Sequence, residues 1–321
     1  MKIKDIYKSA LEQGIINDPR GREGVEKSLA RLQENYQGIP ENERKYYDQE
    51  KLQSPYSDTR ILYGNPEQEV NSVLVGIDVE VGEVLLADRL RERGRKVDLV
   101  IAHHPEGRAQ AAFYEVMHMQ ADILNRLGVP INVAEGILEE RVREVSRRVM
   151  PANHQRAVDV ARLLDIPFMC LHTPADNSVT HYLQTLMDER KPETVREVLD
   201  LVLGIPEYIQ AAQNNNPPTV LVGHKGNRCG KIFVDMTGGT GGSKEAFEKL
   251  THTDIGTIVG MHIGEDHRKE AEKNHINVVI AGHMASDSLG LNLLLDYILR
   301  QGALEIIPCS GFLRVERPGK A

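Results

Sequence analysis

The chain has 321 residues, 40% hydrophobic and 27% charged, with a formal net charge of -8, no tryptophan and five phenylalanines. That length holds two ordinary domains with a large core. The acidic balance argues against a general nucleic-acid binder, and the scarcity of aromatics argues against a stacking platform for single strands. No apolar run approaches the roughly 20 residues of a bilayer span, and the N-terminus has no apolar signal region. Cys170, Cys229 and Cys309 are too few and too scattered for a disulfide framework or a Cys-based zinc motif. A reducing, cytoplasmic setting is expected.

Residues 1–54 are polar with a helical pattern, and Val25, Leu29 and Leu32 lie at near-helical spacing. They read as an appended helical extension. From Val70 the pattern changes. Ser72 to Asp78 reads as a strand, and Glu83 to Arg93 as an amphipathic helix offering Val84, Leu85, Leu86 and Leu90 to the core. Gly94 suits the left-handed cap that ends it. Asp98 to His104 is a second apolar strand, closed by Pro105. Strand, helix and strand make a βαβ unit with a right-handed crossover.

Gln110 to Leu127 is expected to be helical, Val129 to Ala134 a short strand, and Gly136 to Leu164 two helical stretches broken at Met150-Pro151. A strand at Phe168 follows, then helices from Thr180 to Glu189 and from Pro192 to Leu203. Asn214 to Pro218 is the clearest linker. Beyond it come strands near Val220 and Ile232, a helix after Ser243, and a strand near Ile258. A helix around Lys269, a strand from Ile276, a helix from Leu289 to Gln301 and strands near Ile306 and Leu313 complete the pattern. The expected division is a helical extension over 1–54, a first α/β domain with a helical insertion over 55–213, and a second α/β domain over 214–321.

Three apolar strands end in His or Asp: the first in His103-His104, the second in His172 and Asp176, the third in His283 and Asp287. In an open α/β sheet, ligands bind where the strands run out at their carboxyl ends. Successive side chains of an extended chain tend to opposite sides, so His103 and His104 suit two adjacent ions better than one. A dinuclear site needs carboxylates that can bridge, and Asp176 and Asp287 are the candidates. His283 and Asp287 are four apart and share a face if a helix begins there. The expected ligands are His103, His104, Asp176, His283 and Asp287. Imidazole with carboxylate suits two divalent ions of Zn, Fe, Mn, Co or Ni, and disfavours Ca or Mg. His172 is either a ligand or a residue that orients a neighbour. His118, His154, His181, His224, His252, His262, His267 and His275 read as surface or internally satisfied histidines.

Gly238-Gly239-Thr240-Gly241-Gly242-Ser243 is a glycine-rich turn between strand and helix. Its amides, with the positive end of the helix, could hold a phosphate or carboxylate. Equally, it is a tight turn with Ser243 as N-cap. Its spacing is not that of a Walker loop. His224 to Lys231 is a basic hairpin candidate that reads best as a solvated turn.

Four stretches carry a family resemblance: Asp58-Thr-Arg-Ile-Leu-Tyr-Gly64-Asn-Pro66, Leu99-Val-Ile-Ala-His103-His104-Pro105, His172-Thr173-Pro-Ala-Asp176 and Gly282-His283-Met-Ala-Ser-Asp287. Together they resemble the NGG-interacting-factor-three-like proteins, also known as type-two homologues of GTP cyclohydrolase I, over roughly residues 55–315. The glycine-rich turn has a counterpart there too. The resemblance implies two α/β domains facing each other across a two-metal site on His103, His104, Asp176, His283 and Asp287, and a homo-hexamer. Asp287 stands where the family usually has Glu. The helical segment between His104 and His172 and the N-terminal extension are additions. Two functions follow as expectations. One is a two-metal hydrolase acting on a phosphorylated or nucleotide-like ligand, by phosphoester hydrolysis or cyclohydrolase-type attack. The other is a non-catalytic metal-binding, metal-delivery or interaction protein.

Overall fold

The computed structural model describes residues 1–317, so residues 318–321 of the expected second domain lie outside the described residues. The chain opens with helices α1 (Ile3–Ile16), α2 (Gly21–Gly38) and the short α3 (Glu41–Arg44). Strand β1 (Arg60–Tyr63) precedes the βαβ unit of β2 (Ser72–Gly76), α4 (Val81–Glu92) and β3 (Leu99–Ala102). The insertion comprises α5 (Gly107–Ala111), α6 (Met119–Arg126), α7 (Ile131–Val149) and α8 (Arg156–Leu163). Then come β4 (Phe168–Cys170), α9 (Thr173–Arg190), α10 (Val195–Leu203) and α11 (Pro206–Gln213). After the Asn214 to Pro218 linker run β5 (Thr219–Val222), β6 (Lys231–Asp235), α12 (Ala246–Leu250), β7 (Ile255–Gly260) and α13 (Glu265–Lys273). The last elements are β8 (Asn277–Ile280), α14 (His283–Leu299) and β9 (Glu305–Cys309).

The strands form two sheets, ordered β1-β4-β3-β2-β9 and β5-β8-β7-β6. Each is parallel except for one antiparallel edge strand, β1 in the first and β5 in the second. The fully buried strands β2, β3 and β4 read as continuous apolar runs because both faces of the first sheet are covered. One face packs on α1 and α14 through Ile3, Ile6, Leu291 and Leu295, and the other on α4 and α8 through Val84, Ala87, Ala157 and Ala161. The second sheet packs on α9, α10 and α11 on one side. On its other side lie α6, α7, α12 and α13. Both sheets thus share a central layer built on α9 and α14.

Several local expectations differ from the structure. Val129 to Ala134 is not a strand, because α7 begins at Ile131 behind Pro130. Its inward residues Ala134, Leu138, Val142 and Val145 recur at helical spacing, and that period outweighs local β preference. The expected helix over Gln110 to Leu127 is broken by a 3-10 stretch at Phe113–His118. Val116 and Met119 enter one cluster while Met117 enters another, which one helical stripe cannot supply. On α4 the core takes Val84 and Ala87 and leaves Leu85 and Leu86 exposed. Leu313 is not in a strand. Its amide donates to Ser288 and its carbonyl accepts from Asn292, both side chains of α14. His224 to Lys231 does not close a hairpin, since β5 and β6 lie at opposite edges of their sheet.

The N-terminal segment is helical, and α1 is part of the core: Ile3, Ile6 and Ala10 are fully buried. At the other end, the boundary expected at 214 separates the two sheets only as far as β8. β9 returns to the first sheet and pairs with β2 along Ser72 to Gly76.

The crossing of α9 and α14 is unusually close. A Cβ added at Gly290 would lie 2.4 Å from the carbonyl oxygen of Ala175. Only glycine permits this approach, and the neighbours of the contact along each helix are Asp176 and Asp287. Gly290→Ala is therefore expected to lower stability by about 1–3 kcal/mol, the usual cost of forcing a methyl into a packed contact. It should also weaken metal binding. Chemical denaturation and metal titration of the variant test this, and a native midpoint with native affinity would refute it.

Candidate metal centre

The structure brings all five expected residues together. His103 and His104 follow β3, held by their own amides on the carbonyls of Gly76 and Ile77. Asp176 lies in the first turn of α9, where the helix dipole favours a negative charge, and Asp287 lies one turn into α14. His283 opens α14, one turn before Asp287 and on the same face.

Three imidazoles are anchored through Nδ1. His103 donates to the Leu171 carbonyl at 3.3 Å, His104 to Asp78 Oδ1 at 2.7 Å, and His172 to Asp58 Oδ2 at 2.8 Å. Each of these acceptors fixes the proton on Nδ1 and leaves Nε2 with a free lone pair, the arrangement typical of metal-ligating histidine. Thr173 also donates to Asp58, at 2.6 Å. Burial works against the charge on Asp58, but His172 and these hydrogen bonds hold its pKa below the usual carboxylate value.

The two oxygens of Asp287 face different ways. Oδ1 is 3.5 Å from His103 Nε2, which in turn is 3.4 Å from Asp176 Oδ1. Oδ2 is 3.5 Å from both His104 Nε2 and His283 Nε2. This makes two half-sites that share one carboxylate, His103 with Asp176 and Asp287, and His104 with His283 and Asp287. His172 groups with His103 and His104 and is 3.6 Å from Asp176 Oδ2, so it faces the same centre. The side chains of His103 and Asp287 are 1% exposed, against 25% for His104 and 38% for His283. The first half-site is closed and the second is open.

These residues fit a metal. His103 Nε2, Asp176 Oδ1 and both oxygens of Asp287 are buried without a hydrogen-bond partner. Orphaned buried polar atoms are costly and rare, and here they all point at one another. Burial opposes a charge on His103, but Asp287 and Asp176 overcome it and raise its pKa well above the ordinary imidazole value. Burial equally opposes ionisation of Asp287, yet the surrounding histidines hold its pKa far below the usual range. His283 is shifted downwards, by burial first, so it favours the neutral ligand form.

The open half-site faces a cavity of about 310 Å³ between the second sheet and the insertion helices. His172, Asp176, His283 and Asp287 stand at one side, and Gly239 to Ser243 form part of the wall. The turn is shaped from outside. Gln120 donates to the carbonyls of Gly238 and Thr240, Arg141 to that of Gly241, and His267 to that of Gly242. A Cβ at Gly238 or Gly242 would collide with Gln120. Among the described residues no acceptor takes the amides of 238–243. Ser243 does not cap the following helix. Its hydroxyl bonds the Glu245 side chain, and α12 is only five residues long. Any anion here would be held by amides, without a helix dipole.

Three residues escaped the sequence reading. Asp78 orients His104, Asp58 orients His172, and His262, an exposed histidine as expected, also lines the cavity with its ring tilted 4.7 Å from that of His283. Asp78 carried the same signal as His103, an acid placed where an apolar strand runs out.

Fold and site together define an α/β protein with a buried histidine–aspartate centre between two mainly parallel sheets. No family model and no curated protein matches the sequence. Among solved structures, the chain is similar to a NIF3 superfamily protein from Sphaerobacter thermophilus at 28% identity and a TM-score of 0.70, covering 79% of this chain and 91% of that one. It is also similar to reduced HcgD from Methanocaldococcus jannaschii, at 16% identity and a TM-score of 0.47 over 77% of this chain and 87% of that one. A Bacillus cereus protein related to NIF3 gives 12% identity and a TM-score of 0.37, over 78% and 89% of the two chains. Only the first is close enough to carry weight. That likeness supports a NIF3-like family for this chain. No helix among the described residues is long and apolar enough to cross a membrane.

Two outcomes test the centre. Asp58→Asn, which removes the acceptor that fixes His172, should lower metal affinity by about 10- to 100-fold with circular dichroism unchanged; unaltered affinity would leave Asp58 a purely structural role. Asp287→Ala should strip metal from the protein while Asp287→Glu retains it, as read by calorimetric titration. Equal affinity in wild type and Asp287→Ala would take Asp287 out of the ligand set.

Proposed function

We propose that this chain is a two-metal hydrolase acting on a phosphorylated or nucleotide-like substrate. The observation that carries this reading is Asp287, whose two unpartnered oxygens address a closed and an open half-site at the edge of a cavity. His103, Asp176 and Asp287 would hold one divalent transition-metal ion, and His104, His283 and Asp287 the other, with Zn, Fe, Mn, Co and Ni the metals this donor set suits. When bound, such a pair supplies Lewis-acid polarisation, a water nucleophile active at neutral pH and a template for in-line displacement.

The chain's own residues do the rest. Asp58 and Asp78 keep His172 and His104 in one tautomer and one orientation. The exposure of His283 leaves the second half-site accessible from the cavity, as a catalytic rather than a closed structural site requires. The amides of Gly238, Gly239, Thr240, Gly241, Gly242 and Ser243 are free to accept an anionic group such as a phosphate. Assembly as a homo-hexamer in the cytoplasm belongs to the same reading.

The experiment is reconstitution with each metal, followed by elemental analysis and turnover of a panel of nucleotides, phosphomonoesters and phosphodiesters. Two ions per chain with metal-dependent hydrolysis is the expected result. Two ions with no turnover would favour the alternative, a non-catalytic metal-binding or metal-delivery protein. One ion or none would overturn the dinuclear reading.

A further inference from the structure

The cavity beside the metal centre continues into an apolar hollow between the insertion helices and the second sheet. Six side chains carry its wall: Ile123 and Leu124 of α6, Leu138 of α7, Phe233 of β6, Phe247 of α12 and Ile258 of β7. All six are buried and belong to one core cluster. Protein interiors are close-packed, and voids larger than a water molecule are few. A hollow lined by Leu, Ile and Phe forfeits the contacts that would fill it, so the packing of the fold gives no reason to keep it open.

The polar groups of the same cavity suit only one end of a ligand. Gln120, Arg141 and His267 line it, but they are engaged with the carbonyls of Gly238, Thr240, Gly241 and Gly242. Thr237 donates to Asn177 at 2.6 Å, and Asp235 stands at the solvent-exposed end of β6. The amides of the turn have no acceptor among the described residues, and they border the same cavity as the open half-site. A sugar or a base edge placed in the hollow would exchange water for carbon around its polar atoms, which is costly. An apolar group placed there would leave water at a gain.

We propose that the substrate is an organic phosphate with an apolar body, an alkyl or aryl phosphate in place of a nucleotide. The anionic head would sit at the open half-site against the amides of the glycine-rich turn, and the body would fill the hollow. Ile123, Leu124 and Leu138 all come from the insertion, so that segment would set the specificity of the site. This assignment rests on the cavity being the substrate site, as the hydrolase reading has it, and narrows that reading to one substrate class. Binding of this kind does not depend on the ester being cleaved.

The probes are methyl-, butyl- and hexylphosphonate, whose C–P bond is not a phosphoester and so reports binding apart from turnover. The control is 1-hexanol, which lacks the anion. Calorimetry on the full metal-reconstituted chain gives their affinities for wild type, Ala246→Leu and Leu124→Gln, with metal content and circular dichroism recorded alongside. Ala246 lines the cavity and is only partly buried, so a larger side chain there should enter the hollow without disturbing the core. In wild type each methylene should raise affinity about three- to fourfold, the value of one buried CH₂, and hexylphosphonate should bind more tightly than 1-hexanol. Both variants should flatten this dependence on chain length and keep native metal content. Three results overturn the inference: affinity that does not rise with chain length in wild type, 1-hexanol binding as tightly as hexylphosphonate, or a dependence unchanged in the folded variants. The wild-type series decides alone if a variant does not fold. The two proposals fail separately. A steep dependence on chain length with no turnover of any ester refutes the hydrolase reading alone. Metal-dependent hydrolysis of nucleotides with no dependence on chain length refutes the apolar site alone.

Discussion

The backbone-to-backbone contact between α9 and α14 at Ala175 and Gly290 sets the position of everything in the centre. These helices carry the two carboxylates near their N-terminal ends, and they lie between the two sheets. Residues of α9 and α14 enter both adjoining clusters: Ala175 and Leu291 pack toward the first sheet, Val179 and Leu289 toward the second. Close-packed interiors transmit displacement instead of absorbing it. The separation of Asp176 from Asp287 is thus fixed by the packing of the whole molecule. Asp287 is a methylene shorter than glutamate, yet it reaches both half-sites because its helix is held close.

The centre also shows what the fold tolerates in order to keep a site. Four buried polar atoms without partners would each cost free energy in an ordinary core. Here the opposing charges of His103 and Asp287 compensate part of that cost, as the opposite shifts of their pKa values indicate. A metal ion at this centre would compete with a proton at His103, so its uptake would release protons and its affinity would be linked to acidity. Anchoring of the three imidazoles through Nδ1 lowers the entropy still to be lost when an ion arrives.

Much of this was legible in the sequence because one rule, polar residues where apolar strands stop, is local. It located His103, His104, Asp176, His283 and Asp287, and it extends to Asp78 with no further assumption. What was not legible depends on contacts between distant positions. His172 was ambiguous because its tautomer is set by Asp58, 114 residues away. The roles of the glycines at 238 and 242 depend on Gln120 in the insertion. The periodic pattern of α7 was lost behind a proline and a short β-like run, and α11 went unnoticed next to the linker. The N-terminal helices looked like an appendage since the apolar residues by which α1 reaches the core, Ile3, Ile6 and Ala10, are few and lie in a largely polar segment.

The return of β9 to pair with β2 has a consequence for how the molecule is made. Strands at 72–76 and 305–309 are neighbours in one sheet although more than two hundred residues separate them. Contacts of such long range are slow to form. On a ribosome, which releases N-terminal segments first, the first sheet would wait with β2 as an unpaired apolar edge until residue 309 had emerged. α14 is made in the same late stretch, and with it His283 and Asp287. The shared carboxylate of the centre is therefore among the last parts to arrive, and neither half-site that uses it can form before α14 is made.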